Sequence, residues 1–189
     1  MFAYSVLCSP FVPSIGVPDE AHNTNEPYLE YYNYLLNKTN SQLPQVISNS
    51  YGDDEQSVPR DYATRICNMI GLMGLRGITI LESSGDTGVG AACMSNDGKN
   101  NAEFTPQFPA TCPYVTAVGG TQSYAPEVAW EASSGGFSNY FETAWYQTQT
   151  VKTYLDKHVT PETKAYYTKY TNFSGRAFPD ISAHSLSPK

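Results

Sequence analysis

The chain has 189 residues, enough for one domain with one core, and its 40% hydrophobic and 13% aromatic content excludes a disordered polymer. Eighteen acidic against 11 basic residues give a net charge of -7 and a pI near 4.8. That balance excludes a nucleic-acid partner, which needs clustered Lys and Arg, and suits an acidic medium. No apolar run approaches the roughly 20 residues that cross a bilayer, so no membrane partner is expected.

Met1 to Val12 is mildly apolar but lacks a basic leading region, so it reads as a packed or frayed start rather than a signal peptide. Residues 9 to 25, rich in Pro, Ser and Asn, read as an extended loop. Asn25 can cap a helix over Glu26 to Asn37, with Leu29, Tyr32 and Leu36 on one face. Gln45 to Tyr51 is a short strand, and Gly52-Asp53-Asp54 a turn. Pro59 opens a second helix with Tyr62, Ile66, Met69, Ile70 and Met73 at helical spacing, ended by Gly74 and Gly77. Gly77 to Leu81 enters the next strand, which runs into the glycine-rich loop Ser83-Ser84-Gly85-Asp86-Thr87-Gly88. Strand, helix and strand in this length predict a parallel pair with a right-handed crossover.

Tyr114 to Val118 is a third strand, followed by Gly119-Gly120, and Val128 to Trp130 a fourth. Gly135-Gly136-Phe137-Ser138 reads as a tight turn or bulge. Helical pattern resumes over Ala144 to Lys157 and Pro161 to Tyr170, and Phe178 to Ala183 is extended. The expected architecture is one α/β domain over residues 1–189.

Four cysteines stand at 8, 67, 93 and 112, with no C-x-x-C pair, and His22, His158 and His184 are scattered, so no metal site is expected. Cys93 and Cys112 bracket a polar loop that a disulfide between them would close, while Cys67, on the second helix, reads as a buried thiol. Asn37-Lys38-Thr39 and Asn172-Phe173-Ser174 are acceptor sequons for N-glycosylation.

Asp86 draws most attention. A carboxyl group on a glycine-permitted loop at the carboxyl end of a parallel strand is placed to act on a ligand, although an Asx-turn capping its own loop is the plainer reading. Gly85 to Gly90 has neither the G-x-G-x-x-G spacing nor the lysine of a phosphate-binding loop. Asp86-Thr87-Gly88 occurs once, whereas paired aspartates need two copies. No histidine neighbours a G-x-S-x-G elbow.

Several stretches in register nevertheless carry a specific likeness: Thr24 to Leu29, Ile47 to Gln56, Gly85 to Gly88, Phe108 to Thr121, and Gly135 to Phe141. Together they resemble the sedolisins, the serine-carboxyl peptidases, and most nearly the fungal secreted tripeptidyl-peptidases. The resemblance implies a subtilisin-like parallel sheet flanked by helices, secretion, and a Ser-Glu-Asp catalytic set. It also implies that Asp86 is held protonated and donates a hydrogen bond to the tetrahedral oxyanion, since a neutral carboxyl group donates and a carboxylate cannot. Ser50, Tyr51 and Gly52 would form the edge that pairs with extended peptide or protein substrates.

The 189 residues contain neither the family's G-T-S-A-S-like nucleophile motif nor its E-A-N-L-D-like acidic motif, and its calcium site falls outside them, so no cofactor is expected. Glu26 and Glu30 imitate the acidic pair at i, i+4 but read as exposed helix residues. The fold is therefore expected to be incomplete at both ends and proteolytically inactive alone. The alternative is a secreted binding or interaction protein on the same scaffold, joined to a second copy or a complementing chain.

Overall fold

The computed structural model describes residues 27–90, 93–95 and 99–185. The readings of Met1 to Val12, of residues 9–25 and of the Asn25 cap lie outside them, as does Glu26.

Helix α1 spans Tyr28–Leu36 and buries Tyr28, Leu29, Tyr31, Tyr32 and Leu35. Strand β1, Val46–Asn49, is followed by the two-residue strand β2, Asp53–Asp54, where the sequence suggested only a turn. Helix α2, Arg60–Leu75, follows Pro59 and buries Ala63, Ile66, Cys67, Met69, Ile70 and Met73, an apolar stripe at 3.6-residue spacing. Strand β3 is Thr79–Ser83, β4 Gln107–Phe108, β5 Thr116–Gln122 and β6 Val128–Ala129. Strand β7, Gly136–Glu142, precedes helices α3, Thr148–Lys157, and α4, Pro161–Tyr167. Strands β8, Gly175–Phe178, and β9, Ile181–His184, close the order.

The main sheet runs β1-β3-β5, with β9 parallel to β5 and β6 antiparallel to it. The β1-α2-β3 unit is the expected parallel pair, with Val46 opposite Thr79 and Asn49 opposite Glu82. A parallel sheet needs cover on its faces. The α1 and α2 stripes, with Ile47, Ile78, Ile80, Phe108 and Val115, form the main core, and Ala110, Ala117 and Phe178 a smaller one. The fold class is the α/β arrangement the sequence suggests.

Three expectations are corrected. The disulfide joins Cys67 to Cys112, with Cα atoms 5.5 Å apart, while Cys93 is exposed and free. Cys67 and Cys112 both face the core, at 2% and 0% exposure, whereas Cys93 points its thiol at the Gly90 carbonyl. The bridge ties α2 to the entry of β5 and closes a 45-residue separation, worth about 4 kcal/mol in the chain-entropy account.

Second, Gly119 and Gly120 do not end the third strand but lie inside β5. A Cβ at Gly119 would stand 2.8 Å from both Pro179 Cγ and Ser182 Oγ, so glycine lets β9 approach.

Third, Gly136 to Ser138 opens strand β7, which pairs antiparallel with β8. The bulge is real but lies further on, as a register shift between Phe137 and Glu142. Its unpaired donors are collected by Glu55, fully buried, which accepts from Ser138 Oγ at 2.5 Å, Asn139 N at 2.7 Å and Tyr140 N at 3.2 Å.

At the β8–β9 corner Arg176 is wholly buried. Its guanidinium donates to Asp180 Oδ2 at 2.6 Å, to the Val115 carbonyl at 3.2 Å and to the Ala177 carbonyl. The same Asp180 oxygen accepts from Ala117 N at 2.7 Å, locking the start of β9 onto β5. Removing Asp180 leaves the wholly buried Arg176 guanidinium without its counter-charge, so Asp180→Ala is expected to cost about 3 kcal/mol in denaturant unfolding. A change under about 0.5 kcal/mol, the size expected of an ordinary surface substitution, would show the pair to be incidental.

Candidate functional site

Because β1 and β3 run parallel, Ser50–Tyr51–Gly52 and the loop Ser84–Gly90 leave the same carboxyl edge of the sheet from neighbouring strands. The Asp86 side chain is exposed and makes no hydrogen bond among the described residues.

The loop beneath it is fixed. Ser134 N donates to the Gly85 carbonyl at 2.9 Å, Gly88 N to the Ala132 carbonyl at 3.0 Å, and Gly135 N to the Gly88 carbonyl at 3.3 Å. The buried hydroxyl of Ser134 accepts from Thr87 N at 3.0 Å. Gly85 adopts φ +104°, and a Cβ there would meet Gln107 Cγ and Ser134 Oγ at 2.8 Å. Gly90 adopts φ +128°, with Thr105 Oγ1 only 1.9 Å from where a Cβ would be. Close approach and left-handed backbone together require glycine at both positions.

The segment Ser50–Gly52 is also anchored. Tyr28 Oη donates to the Tyr51 carbonyl at 2.7 Å, so that acceptor is already engaged with α1. A Cβ on Gly52 would lie 2.7 Å from the Phe108 carbonyl. Beyond it, β2 pairs with β4, and Gln107 Nε2 donates to Asp54 Oδ1 at 2.6 Å. Gln107 therefore joins the two halves of the site, touching the Gly85 position on one side and Asp54 on the other. Burial raises the Asp53 carboxyl above its usual range, helped by the neighbouring Asp54 charge. Burial raises Asp54 as well, opposed by the Gln107 hydrogen bond.

Below this edge lies a second polar group. Glu82 on β3, 1% exposed, accepts from Asn49 Nδ2 at 3.0 Å and Tyr28 Oη at 3.4 Å. Asn49 Nδ2 also reaches Tyr32 Oη at 3.2 Å. With no cation among those partners, burial holds the Glu82 carboxyl well above its usual range, only partly opposed by these hydrogen bonds.

The sequence reading missed Gln107, Ser134 and Glu82. Only Glu82 left a signal: at alternate spacing from Ile80 it falls on the inward face of β3, where an apolar residue is the norm. Glu30 is half-buried, with Oε2 enclosed and without a hydrogen-bond partner among the described residues, so it is not the exposed helix residue the sequence suggested. Asn37 and Asn172 are both exposed and lie outside this site. Among the described residues no group of three or more His, Cys, Asp or Glu stands where it could hold a metal ion, and no helix is long and apolar enough to cross a membrane.

A sequence profile of the subtilase family matches residues 14–186. The tripeptidyl-peptidase sed4 of Aspergillus fumigatus is 71% identical over 179 residues, covering 95% of this chain and 30% of the relative. The probable tripeptidyl-peptidase SED4 of Trichophyton verrucosum is 49% identical over 174 residues, 92% of this chain and 28% of the relative. Among solved structures, a Pseudomonas sedolisin, a serine-carboxyl proteinase complexed with pseudo-iodotyrostatin, aligns with a TM-score of 0.53 at 23% identity, over 83% of this chain and 40% of that one. That last likeness is one of fold. The chain spans less than a third of the length of these two curated relatives.

Two outcomes follow from the site's construction. Glu82 binds its proton more tightly folded than unfolded. Its stabilisation is thus full below the unfolded value of about 4.3 and is lost as pH rises towards the folded value. Thermal melts should fall as pH rises above about 4.3, and less so for Glu82→Gln; equal slopes in the two proteins would exclude Glu82 as the cause. Gly85→Ala should destabilise by about 1–3 kcal/mol through overpacking and strain, measured by urea unfolding, and unchanged stability would show that the loop can move.

Proposed function

The chain belongs to the subtilase family, and from that premise we propose that it carries the oxyanion donor and the substrate-pairing edge of an acid-acting, secreted peptidase of the tripeptidyl-peptidase kind. The observation that supports this reading most is the exposed Asp86 on a loop pinned at the carboxyl edge of the sheet, beside Ser50–Gly52. In a peptidase the attacked carbonyl becomes a tetrahedral oxyanion. A neutral Asp86 carboxyl donates a hydrogen bond to that oxygen as charge develops, and a donor already in place costs no reorganisation. The main chain at Ser50–Gly52 would hold the substrate extended beside it. An acidic medium suits such a donor, because Asp86 must keep its proton.

On this reading the 189 residues alone hydrolyse nothing, since they contain neither the serine motif nor the acidic pair that would generate and serve the nucleophile. Passage through a secretory route, with N-glycosylation at Asn37 or Asn172, is part of the same proposal. A second reading, a non-enzymatic binding protein that associates with a second copy or a complementing chain, is favoured by Leu75 and Trp145, which are 86% and 88% exposed.

A peptide with a tetrahedral phosphinate in place of one carbonyl mimics the oxyanion. At roughly pH 3 to 6 it should bind the pure chain weakly, and Asp86→Ala should weaken it about tenfold, while ordinary peptides remain uncut. Equal affinity in the variant would remove Asp86 from the role. Turnover by the pure chain would overturn the inactivity.

A further inference from the structure

Tyr28 stands between two acceptors that its one hydroxyl hydrogen cannot serve together. Its Oη lies 2.7 Å from the Tyr51 carbonyl and 3.4 Å from Glu82 Oε1. The shorter contact claims the hydrogen. The longer one is then filled when Glu82 is protonated and donates to Tyr28 Oη, which gives a chain from Glu82 through Tyr28 to the Tyr51 carbonyl. An ionised Glu82 breaks that chain. A carboxylate has no hydrogen to give, and as a charged acceptor it attracts a hydroxyl roughly twice as strongly as a neutral carbonyl does. Tyr28 then turns its hydrogen to Glu82 and releases Tyr51.

Glu82 is the group of this cluster that changes charge. From α1, Tyr28 and Tyr32 face it, and from β1, Asn49, whose Nδ2 donates to Glu82 Oε2 at 3.0 Å. Burial, then the Glu82 charge and the neighbouring Tyr31, hold the Tyr32 hydroxyl well above its usual range, so it keeps its proton. Across the ladder β5 offers only Ala117, and the side chains that α2 buries are all uncharged. Burial outweighs the Asn49 and Tyr28 bonds at Glu82, so the exchange falls at a higher pH than an ordinary carboxyl group would give.

The position of Tyr51 gives this exchange a consequence. A strand that pairs along its edge turns alternate residues to the partner, so of three residues the first and third face it. Tyr51 is the second of Ser50–Gly52, and its carbonyl is turned to α1.

We propose that Tyr28 is a positioning residue for the substrate-pairing edge, and that Glu82, by holding or losing its proton, decides whether Tyr28 grips the Tyr51 carbonyl. This rests on the pairing role proposed above for Ser50–Gly52. With Glu82 protonated, the middle of the edge is anchored and Ser50 and Gly52 present their main chain to a peptide. With Glu82 ionised, the anchor is lost and the peptide must order the edge that it binds. Neither side chain touches the peptide; both act through Tyr51. The edge is therefore held in acid, the condition under which Asp86 keeps its proton.

Nuclear magnetic resonance of the carbon-13-labelled full chain, from about pH 4 to pH 9, reads the exchange without a ligand. The Tyr51 carbonyl carbon and the Glu82 carboxyl carbon should titrate with one shared midpoint, and the Tyr51 titration should vanish in Glu82→Gln and in Tyr28→Phe. A Tyr51 signal that stays still, follows another midpoint, or still titrates in Tyr28→Phe overturns the proposal. The wild-type titration alone decides if a variant fails to fold. Binding of the phosphinate peptide tests the positioning. Asp86 is common to the wild type and Glu82→Gln, so the ratio of their dissociation constants isolates Glu82. That ratio should be near unity below the midpoint, with the wild type about fivefold weaker above it, and Tyr28→Phe about fivefold weaker than the wild type below it. A ratio of unity at every pH overturns the positioning and leaves the Asp86 reading standing. Binding by none of the three proteins overturns the pairing edge itself, and the positioning with it.

Discussion

The site depends on one set of contacts: the hydrogen bonds that zip the Gly85–Gly88 backbone to Ala132–Gly135. The loop after β3 is rich in glycine and would sample many conformations on its own, because glycine loses more backbone freedom on ordering than any other residue. The carbonyl of Gly85, the amide of Thr87 and both groups of Gly88 are each paired with this one neighbouring segment. Ser133 belongs to the same seam, its hydroxyl accepting from Gly120 N at 2.9 Å. The loop is therefore referenced to β5 as well as β3, and Asp86 can be exposed without being loosely placed.

Polar groups bound the rest of the fold. Glu55 takes the donors released by the β7 bulge, Glu82 gathers Asn49 and Tyr28, and Arg176 with Asp180 fastens β9 to β5. Each is a buried ionisable group held by neutral donors or by a single counter-charge, and each therefore specifies geometry at an energetic cost that apolar packing must offset. The two glutamates, lacking cations among their hydrogen-bond partners, make the folded state favour protons. That preference would suit the acidic medium proposed for this chain.

The β1-α2-β3 unit was legible because apolar spacing on α2 is regular and glycine marks its exit. The glycine pairs misled in the same direction. Gly119-Gly120 reads as a strand end and Gly135-Gly136 as a turn, yet the first pair lies inside β5 and Gly136 begins β7. Cysteine pairing was not legible, because a loop bracketed in sequence says nothing of which thiols face the core. Charged residues inside the fold, Glu55, Glu82 and Arg176, look like surface in any composition-based reading; their burial follows from partners brought together by tertiary contacts 33 to 85 residues apart. Asp86 could be placed on its loop from local pattern, but the chemical role proposed for it came only through the family resemblance.

The central claim is that the Asp86 loop is preorganised in this chain. Amide hydrogen exchange at Thr87 and Gly88 tests it most directly, since both amides lie in a surface loop and would exchange freely if the loop were mobile. The account predicts protection at both positions, lost at Thr87 when Ser134 is changed to alanine. Exchange of both amides at the rate of an unstructured peptide would contradict it.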